Sequence, residues 1–100
     1  MPKGYIIARV DVADLEAYMR YAKATAAAMA KYGAKVLARG GQYEALEGTA
    51  RSRNVILEFA SFETAQQYFH SPEYQEARAH RVGAATGEFV CVEGFDDPGH

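Results

Sequence analysis

The chain has 100 residues, a formal net charge of −2, 49% hydrophobic residues and a single cysteine. That length suits one core with no room for a second, the apolar content is too high for disorder, and the near balance of charge gives no reason to expect nucleic acid as a partner. One cysteine makes neither an internal disulfide nor a cysteine-based zinc site, so a reducing compartment is expected.

Met1-Pro2-Lys3-Gly4 leads directly into a strand-like stretch, without the pattern of a signal peptide. No run approaches the ~20 apolar residues that span a bilayer. A cytoplasmic protein with no membrane partner is the expectation. A β-rich run from Tyr5 to Val12 comes first. Asp14 is placed to cap a helix, with Glu16 complementing its dipole. Leu15, Tyr18, Met19, Ala22, Ala26 and Met29 fall on one stripe at helical spacing. Gly33 is a natural terminator. A second strand is predicted over Ala34 to Arg39, ending in a bulge or bend at Gly40-Gly41, with Gln42 to Leu46 as a possible extension.

A polar connection over residues 47–53 precedes a third strand, Asn54 to Ala60. Ser61 then caps a helix with Glu63 in its first turn. Ser71-Pro72-Glu73 is a second start signal, so the helix is expected to restart or kink near His70 and run to about Gly83. A fourth strand is predicted over Phe89 to Gly94. Residues 1–95 read as one domain and residues 96–100 as a flexible tail. The order β-α-β-β-α-β is the ferredoxin-like, split-βαβ arrangement. It predicts an α+β fold, a four-stranded antiparallel sheet with two helices on one face.

Strand alternation divides the sheet residues into two sets. Ile6, Ala8, Val10, Val12, Val36, Ala38, Val55, Leu57, Phe59, Val90 and Val92 are wholly apolar and suit the helix-covered core. The other set holds Tyr5, Ile7, Arg9, Asp11, Leu37, Arg39, Asn54, Ile56, Glu58, Phe89, Cys91 and Glu93. Tyr5, Ile7, Leu37, Ile56 and Phe89 would stand in water on a monomer, and such a patch marks a partner surface. A two-fold homodimer through the sheet face is expected, burying at least ~1,200 Å² in total. The alternative is a monomer with a half-solvated sheet, which antiparallel sheets tolerate. The charges on that face either pair with one another or line a polar pocket for a small ligand. Arg9 and Arg39 are expected towards one end, Tyr5, Glu58 and Glu93 towards the other.

Gly4-Tyr5-Ile6-Ile7-Ala8, Leu37-Ala38-Arg39-Gly40-Gly41, Leu46-Glu47-Gly48, Arg53-Asn54-Val55-Ile56, Glu58-Phe59, Ser71-Pro72-Glu73-Tyr74, Arg81 and Val92-Glu93-Gly94 together resemble the domain-of-unknown-function 1330 family, from Gly4 to Gly94. The resemblance implies a small bacterial protein of the dimeric α+β barrel superfamily, two ferredoxin-like subunits packed sheet to sheet. It brings no catalytic assignment. The wider superfamily includes cofactor-independent monooxygenases, haem-degrading enzymes, lactone isomerases and polyketide cyclases, with sites between sheet and helices or at the barrel mouth. The lack of Trp weakens any likeness to the haem-degrading branch.

Tyr74, Arg78 and Arg81 share one helical face. Arg81 either fixes the kinked helix through backbone or carboxylate contacts or, with Tyr74, donates to a ligand carbonyl or carboxylate. The candidate pocket residues are therefore Tyr5, Arg9, Arg39, Glu58, Tyr74 and Arg81. Tyr18 and Tyr21 read as core with a hydroxyl at the edge, and Cys91 as a small buried hydrophobe on the dimer-facing side. His70, His80 and His100 lack metal-site spacing, and neither a metal nor a cofactor is expected. Three functions stay open: a cofactor-independent enzyme acting on a small organic molecule, a non-catalytic binding or sensing protein, and a purely structural dimer.

Overall fold

In the computed structural model, which describes residues 2–95, the chain runs β1 (Gly4–Val12), α1 (Leu15–Tyr32), β2 (Lys35–Arg39), β3 (Arg53–Phe59), α2 (Phe62–His70), α3 (Pro72–Arg81) and β4 (Ala85–Glu93). The tail expected over residues 96–100 lies outside the described residues. The sheet is antiparallel throughout, in the order β2-β3-β1-β4. This is the expected α+β, ferredoxin-like architecture. No described helix is long and apolar enough to cross a membrane.

Local chemistry sets the helix ends. The Asp14 carboxylate accepts from the Ala17 amide at 3.1 Å, meeting one of the unpaired donors of the first turn. Gly33 closes α1 in the left-handed region at φ 67°, where a Cβ would be strained. Ser71 separates α2 from α3. Its hydroxyl accepts from the Tyr74 amide at 3.1 Å and donates to the Tyr68 carbonyl at 2.7 Å. Pro72 follows at the first helical position, where its missing N–H costs nothing. One buried serine therefore ends one helix and begins the next.

Ile6, Ala8, Val10, Leu57 and Phe59 turn towards the helices and are buried. They meet Tyr18, Tyr21, Ala28, Ala65, Tyr68, Tyr74 and Ala77. The buried face of α1 is rotated from the expected stripe. Tyr18, Tyr21, Thr25 and Ala28 are buried, whereas Leu15 and Met19 are exposed. Tyr21 faces α3 because its hydroxyl finds a buried partner there, Tyr74, and a buried hydroxyl without a partner is costly.

Two face assignments are corrected. On β4, Phe89 and Cys91 lie opposite Ala8 and Ile6 and pack against the core, while Val90 and Val92 point to the other face, 55% and 42% exposed. Both parities of β4 are apolar, so alternation carries no direction there, and pairing with β1 decides it. On β2, the register shifts between Val36 and Ala38. The extra residue, Leu37, carries Ala38 to the row of Ile56 and Arg39 to the row of Val55, on the helix side.

Ser71→Ala removes the α3 cap and one of the two donors to the Tyr68 carbonyl, leaving the bond from the backbone N–H of residue 71. It is expected to cost about 1–2 kcal/mol in urea unfolding, without loss of the native circular-dichroism spectrum.

Candidate functional site

The six residues singled out from sequence fall on two sides of the sheet. Tyr5, Glu58 and Arg9 occupy the open face; Tyr74 and Arg81 lie beneath the helices; Arg39 lies in the helix-side row at the exposed end of β2.

The open-face charges find partners within the chain. The Tyr5 hydroxyl donates to Glu58 Oε2 at 2.9 Å, and that bond pushes the phenol above its usual range. Arg51, in the connection between β2 and β3, is the hub at the other end. It donates through Nη1 to Asp11 Oδ2 at 2.7 Å, and through Nε and Nη2 to the two oxygens of Glu88 at 2.8 and 2.6 Å. This is the planar fork of arginine used in bidentate form. Arg9 adds a 3.4 Å contact to Glu88 and donates to the Thr49 carbonyl at 2.8 Å. The backbone N–H of Ser52, then Arg51, holds the Asp11 carboxyl below its usual range, and Arg51 does the same for Glu88. The network fastens the β2–β3 connection to the sheet. Between the two charged ends runs an apolar row, Ala38–Ile56–Ile7–Val90, one residue from each strand.

The helix side is different. The Tyr21 and Tyr74 hydroxyls are 2.9 Å apart, and Arg81 Nη2 donates to the Tyr74 hydroxyl at 3.2 Å. Tyr74 and Arg81 are separated by seven residues on α3, so they share a face. Burial pushes the phenols of Tyr21 and Tyr68 far up, and both stay protonated. The Arg81 guanidinium sits 4.2 Å from the centre of the Phe89 ring and 5.2 Å from that of Tyr21. Its Nε is buried without a hydrogen-bond partner. No carboxylate pairs with it among the described residues.

Beside this cluster, under α2 at the β4 edge, lies a pocket of about 140 Å³ lined by Ile6, Gln66, Phe69, His70, Phe89, Val90 and Cys91. A cavity of about 150 Å³ holds a benzene ring, so one small ring is the size that fits. Phe69 and Phe89 form its apolar walls, while Gln66 and His70 supply polar groups from the exposed side of α2. Burial raises the Cys91 thiol, which keeps it protonated rather than nucleophilic at neutral pH. The sequence reading did not assemble this site. Gln66, Phe69 and His70 do stand at i, i+3 and i+4, the spacing of one helical face. Among the described residues, no group of three or more His, Cys, Asp or Glu side chains is placed to hold a metal ion.

A family model described as "Domain of unknown function (DUF1330)" matches residues 3–95. No curated protein matches the chain. Among solved structures, a protein of unknown function from Rhodopseudomonas palustris is similar with a TM-score of 0.75 at 20% identity, over 96% of this chain and 85% of that one. SnoaB, a cofactor-independent oxygenase from Streptomyces nogalater, is similar with a TM-score of 0.68 at 12% identity, over the whole of both chains. A dimeric ferredoxin-like protein of unknown function from Thermobifida fusca has a TM-score of 0.59 at 14% identity, over 92% of this chain and 89% of that one. At these identities the likeness is one of fold.

The Arg51 clamp has a defined pH dependence. Asp11 and Glu88 are held low in the folded state, so their contribution is present above the unfolded carboxylate value of about 4 and is lost as pH falls through the folded values. Arg51→Ala is expected to be less stable than the parent at pH 7. The difference should shrink below about pH 4 and in high salt, as urea unfolding across pH will show.

Proposed function

The chain belongs to the DUF1330 family, which brings no catalytic assignment, and from its pocket we propose that it is a cofactor-independent enzyme. It takes a small, single-ring organic molecule into the pocket beneath α2 and acts on it by proton transfer or oxygen chemistry. The observation that carries this reading is the 140 Å³ pocket, with aromatic walls and an imidazole at its edge. Apolar walls with a few convergent polar groups are the usual form of a small-molecule site. His70, at the pocket edge, is the side chain of the lining that general acid–base chemistry would use. In oxygen chemistry of this kind the substrate itself supplies the electrons, which the fold likeness to a cofactor-independent oxygenase makes a natural candidate. The second reading, a non-catalytic binding protein, is favoured by the Cys91 thiol, which burial leaves inactive.

The functional unit in this reading is a homodimer closed through the open sheet face. Val90 and Val92 are exposed there, in line with Ile7, Ile56 and Tyr5. A second copy of the same face gives the simplest closed solution, and the dimeric neighbour from Thermobifida fusca supports it. The lone, partly buried Cys91 fits a reducing compartment, and we assign the protein to the cytoplasm.

Benzamide, a neutral single ring, tests the pocket. At ten times its Kd it should stabilise the protein by about 1.4 kcal/mol, which shifts Tm by roughly 5 °C or more for a chain of this size. Gln66→Trp, placed to cover the pocket mouth from an exposed helix position, should remove the shift and leave the unliganded Tm unchanged. Ring compounds that bind with neither oxygen uptake nor proton exchange into solvent would favour the binding protein over the enzyme. Light scattering should give twice the 11.0 kDa chain mass, and Ile56→Asp should return it to a single chain. A single-chain mass for the parent at micromolar concentration would rule out the dimer.

A further inference from the structure

Arg81 is a cation enclosed without an anion. It is only 9% exposed, its Nε has no hydrogen-bond partner among the described residues, and its Nη2 donates to a neutral phenol. Tyr74 and Tyr21 do not correct the imbalance. Each hydroxyl carries one hydrogen, and a single bond joins them, so one O–H is left without an acceptor among the described residues whichever of the two donates. The cluster holds surplus donors and a full positive charge, and desolvating a charge is costly unless a counter-charge arrives. The Phe89 and Tyr21 rings attract the guanidinium through their faces, but a ring face offers no lone pair to Nε.

Two rings adjoin both this cluster and the pocket. Phe89 lines the pocket, and its ring centre lies 4.2 Å from the guanidinium carbon. Phe69 lines the pocket too, and its ring stacks 4.8 Å from that of Tyr74. Resting on the pocket reading above, we propose that the ligand is a small ring-bearing carboxylate. Its ring fills the pocket. Its carboxylate takes the place of the Phe89 face beside Arg81, accepting from Nε–H and from the free hydroxyl hydrogen of the tyrosine pair. Arginine presents its N–H groups in a rigid fork that matches carboxylate geometry, and a site that strips water from the charge gains selectivity for anions over neutral rings of equal size. Phe89 is then the residue that opens the pocket to its anchor.

Benzoate and benzamide share one ring and differ in charge. Titration of each into the full chain, followed through the Arg81 Nε–H signal by NMR and by calorimetry, tests the inference. Benzoate should bind at least tenfold more tightly than benzamide and should shift the Arg81 signal. Arg81→Lys, which keeps the charge and loses Nε–H and the planar fork, should reduce the preference severalfold, and Phe89→Leu should tighten benzoate. Equal binding of the two probes, or an unmoved Arg81 signal at saturation, overturns the carboxylate proposal and leaves the pocket reading intact. Failure of both probes to bind overturns both. Where Arg81→Lys does not fold, the parent titration decides alone.

Discussion

A guanidinium buried among aromatic rings is the point on which the elements of the helix side of this protein converge. Arg81 ends α3, and its charge is surrounded by Tyr21, Tyr74 and Phe89. For α3 to place it there, α2 must stop at Ser71 and the chain must restart on a new axis. For α1 to meet it, Tyr21 must face inward, which turns Leu15 and Met19 out to solvent. On β4, Phe89 must point to the helices. A break, a rotation and a strand parity thus converge on one side chain.

The two faces of the sheet solve opposite problems. On the open face, charges are matched within the chain: Arg51 with Asp11 and Glu88, and Tyr5 with Glu58. Polar capacity there is largely used, and what remains uncovered is the apolar row through Ile56 and Ile7. That is the character of a surface made for another surface. On the helix side the pairing is incomplete: Nε of Arg81 and one tyrosine hydroxyl hydrogen lack acceptors next to a ring-sized pocket. That is the character of a site. In the proposed reading, assembly takes the open face and chemistry the helix side.

Much of the fold is legible in the sequence because local chemistry writes it. Asp14, Ser61, Ser71-Pro72 and Gly33 are cap signals that act within a few residues of themselves, and each acts where expected. The α3 face carrying Tyr74 and Arg81 follows from helical spacing alone. What resisted reading depends on partners far along the chain. Phe89, Val90, Cys91 and Val92 are apolar on both parities, so only pairing with β1 tells in from out. The irregularity at Leu37 has no local signature, and it moves Arg39 to the other side of the sheet. The Tyr21–Tyr74 bond joins residues 53 apart, and the pocket depends on how α2 settles over β4. The Arg9 and Glu58 charges are visible as candidates, but their partners, Glu88 and Tyr5, lie on other strands.

If Arg81 is kept for a ligand rather than for the fold, the free protein carries an uncompensated buried charge. Buried ions replaced by apolar groups of similar volume often leave stability equal or raised, and sites built for function commonly give up stability to it. Equilibrium urea unfolding of Arg81→Met in the absence of ligand measures this directly. The account predicts a variant within about 1 kcal/mol of the parent or more stable than it. A loss of more than about 3 kcal/mol would show that the guanidinium holds the fold together, and would contradict the account.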